Sequence, residues 1–305
     1  MKLKLKILIL LILIVHSKSF ACNICGGSSG GNYLGILPQF TKNFIGLRYN
    51  HKAYYYQNPV ISTIGTGRLQ NEYYNTIELW GRVYPTKNIQ LFFFLPYSVN
   101  RRIEDTREVS IQGIGDASIL ANYQIIKRTA DSLKFKHVLL AGFGLKLPTG
   151  KYQQRDENKT MFPISFQIGN GAYSFIFNAI YNIRYKRVGI NTDFSYRINS
   201  TNELYYKPGD QFTYSFSFFY WQNIKNKISF LPQTGIYYEN YGKDVEYDIT
   251  KEGTGGQNMF WNLGMDVYYK RFIVGALLQM PVLADNSYLL PQVQNRFITN
   301  VSFMF

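Results

Sequence analysis

The residues with the most distinctive chemistry of their own are two cysteines. Cys22-Asn-Ile-Cys25 holds both cysteines of the chain, at CxxC spacing. In an oxidising compartment such a pair can close a local disulfide, contact a soft metal ion or exchange thiols. We rank the disulfide first and metal or redox contact second, because one CxxC is only half of a tetrahedral zinc site. Lipidation of Cys22 ranks third: Phe20 is bulky and Ser19 stands where a lipoprotein signal usually has an aliphatic residue. Acid–base chemistry has little to work with. After residue 21 the histidines are His51 and His137, and neither has a serine and a carboxylate that the sequence can place beside it. No enzymatic activity and no cofactor are expected.

The elements that must position these groups begin with an address label. Lys2, Lys4 and Lys6 precede the apolar run Ile7 to Val15, and Ser19-Phe20-Ala21 ends it, which reads as a secretory signal peptide over 1–21. The run is far shorter than the roughly 20 residues of a transmembrane helix. Residues 22–42 follow as a Gly-rich periplasmic N-terminal segment carrying the CxxC pair, too short for the plug of an energy-coupled receptor. The formal charge of +14 falls to +10 once the four lysines of 1–21 are removed. Export, and a charge dispersed over turns, argue against nucleic acid as a partner and for contact with membrane lipid.

From residue 43 onward the chain divides into runs with period-two alternation. Phe212, Tyr214, Phe216, Phe218 and Tyr220 share one face, with Thr213, Ser215 and Ser217 between them. Val188 to Asn199 and Met259 to Tyr269 repeat the pattern. Twelve such runs are legible, at 43–57, 72–84, 89–98, 115–126, 134–147, 170–184, 188–199, 210–224, 228–240, 257–269, 272–281 and 293–305, with short and long connections in strict alternation. Aromatic residues make up 17%, dispersed rather than clustered, as interfacial girdles require. These features predict an all-β fold, an antiparallel transmembrane β-barrel of 12 strands over 43–305, in the outer membrane of a Gram-negative cell. A secreted β-sandwich or propeller also alternates, but without the loop rhythm or the exposed aromatics. The last strand ends Phe303-Met-Phe305 and resembles the terminal signal read by the barrel-assembly machinery.

The middle of the chain carries a more specific pattern. Gly113-Ile-Gly-Asp116 opens a strand, Leu147-Pro-Thr-Gly150 ends the next one, and Gln167-Ile-Gly-Asn-Gly171 follows; Leu95-Pro-Tyr-Ser98 precedes them. Over roughly 75–200 this order resembles the outer-membrane transporter family named for the meta pathway of phenol degradation. The resemblance implies a barrel that moves small molecules, hydrophobic or aromatic ones among them, and it supplies no catalytic residues. Turn chemistry accounts for the same glycines and prolines without any functional role.

If the aromatic faces meet lipid, the opposite faces line the lumen with Arg48, Arg82, Lys146, Arg184, Arg197 and Arg296, and with Glu78, Asp116, Asp193, Glu239 and Asp266. Amides join them, among them Asn122, Gln124, Asn178, Asn182, Asn191, Gln233, Asn262 and Asn300. Two readings follow: a passive channel for a small-molecule solute, favoured by the resemblance, or a closed structural barrel whose charges pair with one another. Twelve strands lie between barrels that side chains fill and barrels that stay open, so size does not choose. The basic turns, such as Lys186-Arg187 and Lys270-Arg271, are expected at the periplasmic rim, with ordinary solvated turns ranked ahead of contact with anionic lipid or an acidic partner.

Overall fold

The computed structural model describes residues 42–58, 68–104, 107–130, 132–224, 228–252, 254–284 and 292–305. Twelve long strands form its wall: β1 (Phe44–Asn58), β2 (Arg68–Thr86), β3 (Ile89–Glu104), β4 (Ser118–Arg128), β5 (Phe135–Lys146), β6 (Ser174–Tyr185), β7 (Val188–Asn199), β8 (Gln211–Tyr220), β9 (Ile228–Tyr241), β10 (Gly256–Tyr269), β11 (Phe272–Ala284) and β12 (Arg296–Met304). Each pairs antiparallel with the next. β12 returns to β1 through eight residue pairs, from Phe44↔Met304 to His51↔Phe297, and the ring is closed. Closure leaves no unpaired sheet edge, which a wall inside hydrocarbon cannot tolerate.

Period two assigns the faces. On β7, Asn191, Asp193, Arg197 and Asn199 are buried while Phe194, Tyr196 and Ile198 are exposed; β8 buries Thr213, Ser215 and Ser217. The outward residues are apolar: Leu47, Ile119, Phe177, Phe218, Leu263 and Val301. In water such a belt would aggregate, whereas in a bilayer it meets its own solvent. Tyr123, Tyr185, Tyr220, Tyr269 and Phe135 form an aromatic girdle near the tight turns. A charge at mid-wall should therefore act by depth. Leu263→Lys is expected to cost about 2–4 kcal/mol in reversible unfolding from lipid vesicles, and Tyr269→Lys at the turn-end interface about 0–1 kcal/mol. Equal costs at the two sites would contradict this placement of the membrane.

Strand ends depart from the sequence expectation where both faces stay apolar or where pairing outruns the barrel. β3 does not stop at 98: it runs to Glu104 and pairs with Arg107–Ile114, so the expected long loop 99–114 is a hairpin rising from the wall. β2 is 19 residues long, well beyond the roughly 9–11 that span a bilayer. Residues 170–173, expected in the sixth strand, belong instead to the preceding loop. No described helix is long and apolar enough to cross a membrane. Residues 1–41, which hold the expected signal peptide and both Cys22 and Cys25, lie outside the described residues.

Candidate functional site

The barrel interior is the site, and strand parity builds it. Even-numbered positions of β1–β6, β10 and β12 and odd-numbered positions of β7–β9 and β11 point inward. That parity turns ten of the eleven charged residues read from the sequence toward the interior, in three levels from the tight turns to the long loops; Asp116 lies just before β4, at the loop end. The aromatic residues do not all face lipid as expected. Phe44, Trp80, Phe92, Phe94, Phe219 and Tyr268 point inward at the turn end, packed with Leu140 and Leu231. A second inward cluster at the loop end holds Tyr54, Tyr74, Tyr237 and Phe260. The run Leu91-Phe-Phe-Phe-Leu95 shows why: it is apolar on both faces, so alternation is silent about which face is which.

At the turn end, arginines lie against these rings. The Arg82 guanidinium is 5.3 Å from the Phe44 ring and 5.8 Å from that of Phe92, and its Nη2 donates to the Lys42 carbonyl at 3.0 Å. Arg184 sits over Trp221 at 4.7 Å. Such contacts hold a cation in a low-dielectric interior by the ring quadrupole. One level up, Arg48 pairs with Glu78 directly across β1 and β2, and also covers Trp80 at 4.8 Å. Across the barrel, Asp266 accepts from Gln233 at 3.4 Å. Gly275 separates Asp266 from Asn300 in the register, and a Cβ there would lie 2.2 Å from the carboxylate. Asp193, Asn122, Asn178 and Asn191 complete this level, and polar atoms of each have no hydrogen-bond partner among the described residues.

The loop-end level is the most tightly bonded. Arg296 grips Glu239 with both arms, Nη1 to Oε2 at 2.9 Å and Nη2 to Oε1 at 2.6 Å, with side chains 2% and 1% exposed. Asn258 and Tyr241 also donate to that carboxylate, and Arg296 lies 4.1 Å from the Phe260 ring. Three charged residues that the sequence reading missed belong here. Lys52 is buried beside this pair. Glu72 accepts from Arg102 Nε at 2.7 Å, from Gln70 Nε2 at 2.6 Å and from Tyr74 Oη at 2.5 Å. Lys52 shares the parity of Arg48 and was legible on that ground; Arg102 was not, because it lies past the expected end of β3.

The three glycine-bearing motifs converge on one carboxylate. Asp116 Oδ2 accepts from Lys146 Nζ at 3.0 Å and from the Asn170 amide at 3.3 Å, and Oδ1 from the Gly150 amide at 3.0 Å. Thr149 Oγ1 donates to the Gly115 carbonyl and accepts from the Ala117 amide. A Cβ on Gly150 would lie 2.9 Å from Gly169 Cα, so the two backbones meet only because both are glycine. This knot turns the end of the loop inward, burying Phe162 and residues 166–170, while 157–160 stay exposed. Phe166, fully buried, packs edge-on to Tyr74 with 6.2 Å between centroids and under Arg102, and its carbonyl accepts from Asn100 Nδ2 at 2.7 Å. Arg197, from the same level of the wall, is buried close to Asp116. Outside the membrane, Asp244 ties two further loops by accepting from Tyr206 Oη and the Gly209 amide. Burial raises its carboxyl above the usual carboxylate range, against the pull of those two donors.

A closed antiparallel ring with an apolar belt, an aromatic girdle and a charged interior is an outer-membrane β-barrel. No protein-family model and no curated protein matches the chain. Among solved structures it is similar to an outer membrane channel from Pseudomonas putida F1, with a TM-score of 0.65 and 14% identity over 90% of this chain and 99% of that one. Looser likenesses include the β domain of the Bordetella autotransporter BrkA (TM-score 0.48, 8% identity, 87% and 100% covered) and the translocator domain of the autotransporter NalP from Neisseria meningitidis (0.41, 11%, 87% and 89%). At these identities the likeness is one of fold.

Proposed function

We propose that this barrel is a passive channel for small molecules, hydrophobic or aromatic ones among them, drawn in its closed state. The observation that carries this reading is the polar band at mid-lumen. Asn122, Asn178 and Asn191 are buried there with amide atoms that no described residue partners. An interior that served only as filling would satisfy such groups or replace them with apolar side chains. Groups left to bond with what passes are what a path requires. Inward aromatic clusters on both sides of the band offer faces on which an aromatic solute can stack. The motif resemblance to the meta-pathway transporter family and the fold shared with the Pseudomonas channel support the same reading.

One observation favours the alternative of a closed structural barrel: the bidentate Glu239–Arg296 pair and Phe166 are almost wholly sealed. Single-channel recording of the refolded mature chain in planar bilayers separates the two. We expect brief, discrete openings over a quiet baseline, because the inward-folded loop must move for conduction. Bilayers that stay silent over folded, heat-modifiable protein would assign the interior to filling.

A further inference from the structure

The described residues of the tight turns carry charge of one sign. Lys87, Arg128, Lys186, Arg187, Lys270 and Arg271 are all exposed at this end of the barrel, and none of them pairs with a described acid. The sequence adds Lys225 and Lys227 in a further turn and a single acid, Asp131, all outside the described residues. The long-loop end is different. There Arg101 pairs with Glu108, Lys207 with Asp210, Lys243 with Glu252 and Lys251 with Glu246. Most loop-end cations, Arg102 and Arg107 among them, are thus matched by acids, whereas these six turn-end cations are unmatched among the described residues.

Two further observations say what would match them. The cations are spread round the circumference, from the β2–β3 turn to the β10–β11 turn, so they face all directions in the membrane plane rather than one docking side. They also lean outward. Lys186 Nζ lies 5.4 Å from the Tyr185 ring and Lys270 Nζ 5.3 Å from the Tyr269 ring; Arg187 reaches the Tyr220 hydroxyl at 3.4 Å. All three tyrosines are on the lipid face. The charged heads therefore sit at the level where the aromatic girdle marks the interface.

We propose that this rim is a collar for anionic phospholipid headgroups of the surrounding leaflet, which in barrels of this class is the periplasmic one. Each cation takes a headgroup phosphate while the tyrosine beneath it lies along the upper acyl chain. An acidic protein would need a one-sided patch, and the distribution is annular. Lys186 and Lys270 both have left-handed backbone conformations, with φ of 52° and 53°, so the two-residue turns set the direction in which each side chain leaves the backbone.

The test uses the mature barrel in phosphatidylcholine vesicles doped with spin-labelled phosphatidylglycerol or spin-labelled phosphatidylcholine, reading the motionally restricted fraction of each. Each fully engaged cation is worth about fivefold in association, so the averaged annulus should favour phosphatidylglycerol several-fold. That preference should collapse in about 0.5 M NaCl. It should also collapse in the fourfold variant Lys186→Asn, Arg187→Gln, Lys270→Asn, Arg271→Gln, in which asparagine tolerates the left-handed turn positions. Lys207→Gln, Lys243→Gln and Lys251→Gln together should leave it intact. Should the fourfold variant fail to show heat-modifiable mobility, the salt titration of the native chain and Lys186→Arg with Lys270→Arg, which should retain the preference, still decide. An absence of preference in the native chain, or its survival in the folded fourfold variant, overturns the collar. Binding of soluble polyglutamate without any phosphatidylglycerol preference would also overturn it, assigning the rim to an acidic polypeptide.

Discussion

Glu239→Ala destabilises the folded barrel by about 3–5 kcal/mol, the expected cost of stranding one partner of a buried ion pair. Arg296 keeps its charge at any accessible pH, and its side chain is only 2% exposed. Without Glu239 it retains the Tyr54 hydroxyl at 3.3 Å and the Phe260 face, neither of which neutralises it. The removed carboxylate also leaves Asn258 and Tyr241 without their acceptor. Denaturant unfolding from vesicles, read by tryptophan fluorescence and heat-modifiable mobility, measures the loss. Glu239→Gln with Arg296→Met should recover most of it, because no buried charge is left and the amide oxygen still accepts from Asn258 and Tyr241. A single variant within about 1 kcal/mol of the native chain would mean that water reaches this pair, and that the interior is open at the loop end.

Asp116→Ala is expected to act on stability and conductance together. The carboxylate joins the end of β5, through Lys146, to the amides of Gly150 and Asn170 that begin and end the inward loop. Lys146 is 7% exposed, so its loss of a partner should again cost about 3–5 kcal/mol. With both ends of 151–170 released, Phe166 loses the tether that seats it against Tyr74, and the loop-end mouth should widen. Proteolysis within 151–165 should accelerate by an order of magnitude or so, since cleavage follows the population of the opened loop, and the open fraction in single-channel records should rise with it. Asp116→Asn, which keeps one acceptor oxygen for the amides but not the charge for Lys146, should fall between. Unchanged proteolysis and conductance in a folded Asp116→Ala barrel would show that the loop is not what closes the mouth.

Legibility from sequence followed one rule. Where a strand has one apolar and one polar face, as in Phe212 to Tyr220 or Val188 to Asn199, period two reports the face of every residue. Twelve strands, their antiparallel order and the inward direction of Arg48, Glu78, Asp193, Glu239, Asp266 and Arg296 were readable on that basis. Where both faces are apolar, the signal vanishes. Phe92 and Phe94 point inward and Phe93 outward, yet the letters of Leu91 to Leu95 are nearly interchangeable. Lys52 was legible by its parity with Arg48, but the hairpin of β3 with Arg107–Ile114 hid because a strand that leaves the membrane need not alternate in hydrophobicity at all.

Local sequence thus determined the barrel, because alternation and turn residues are properties of neighbours in the chain. The tertiary structure alone decided the pairings inside. Glu239 and Arg296 are 57 residues apart, and Asp116 and Asn170 are 54 apart. Which of several inward charges meet depends on the stagger of the closed wall and on a loop folding back into it. Glycines at 113–116, 147–150 and 167–171 read as three separate turns; the pairing of β4 with β5 and the return of the following loop bring them to a single carboxylate, where Gly150 and Gly169 approach without a Cβ between them.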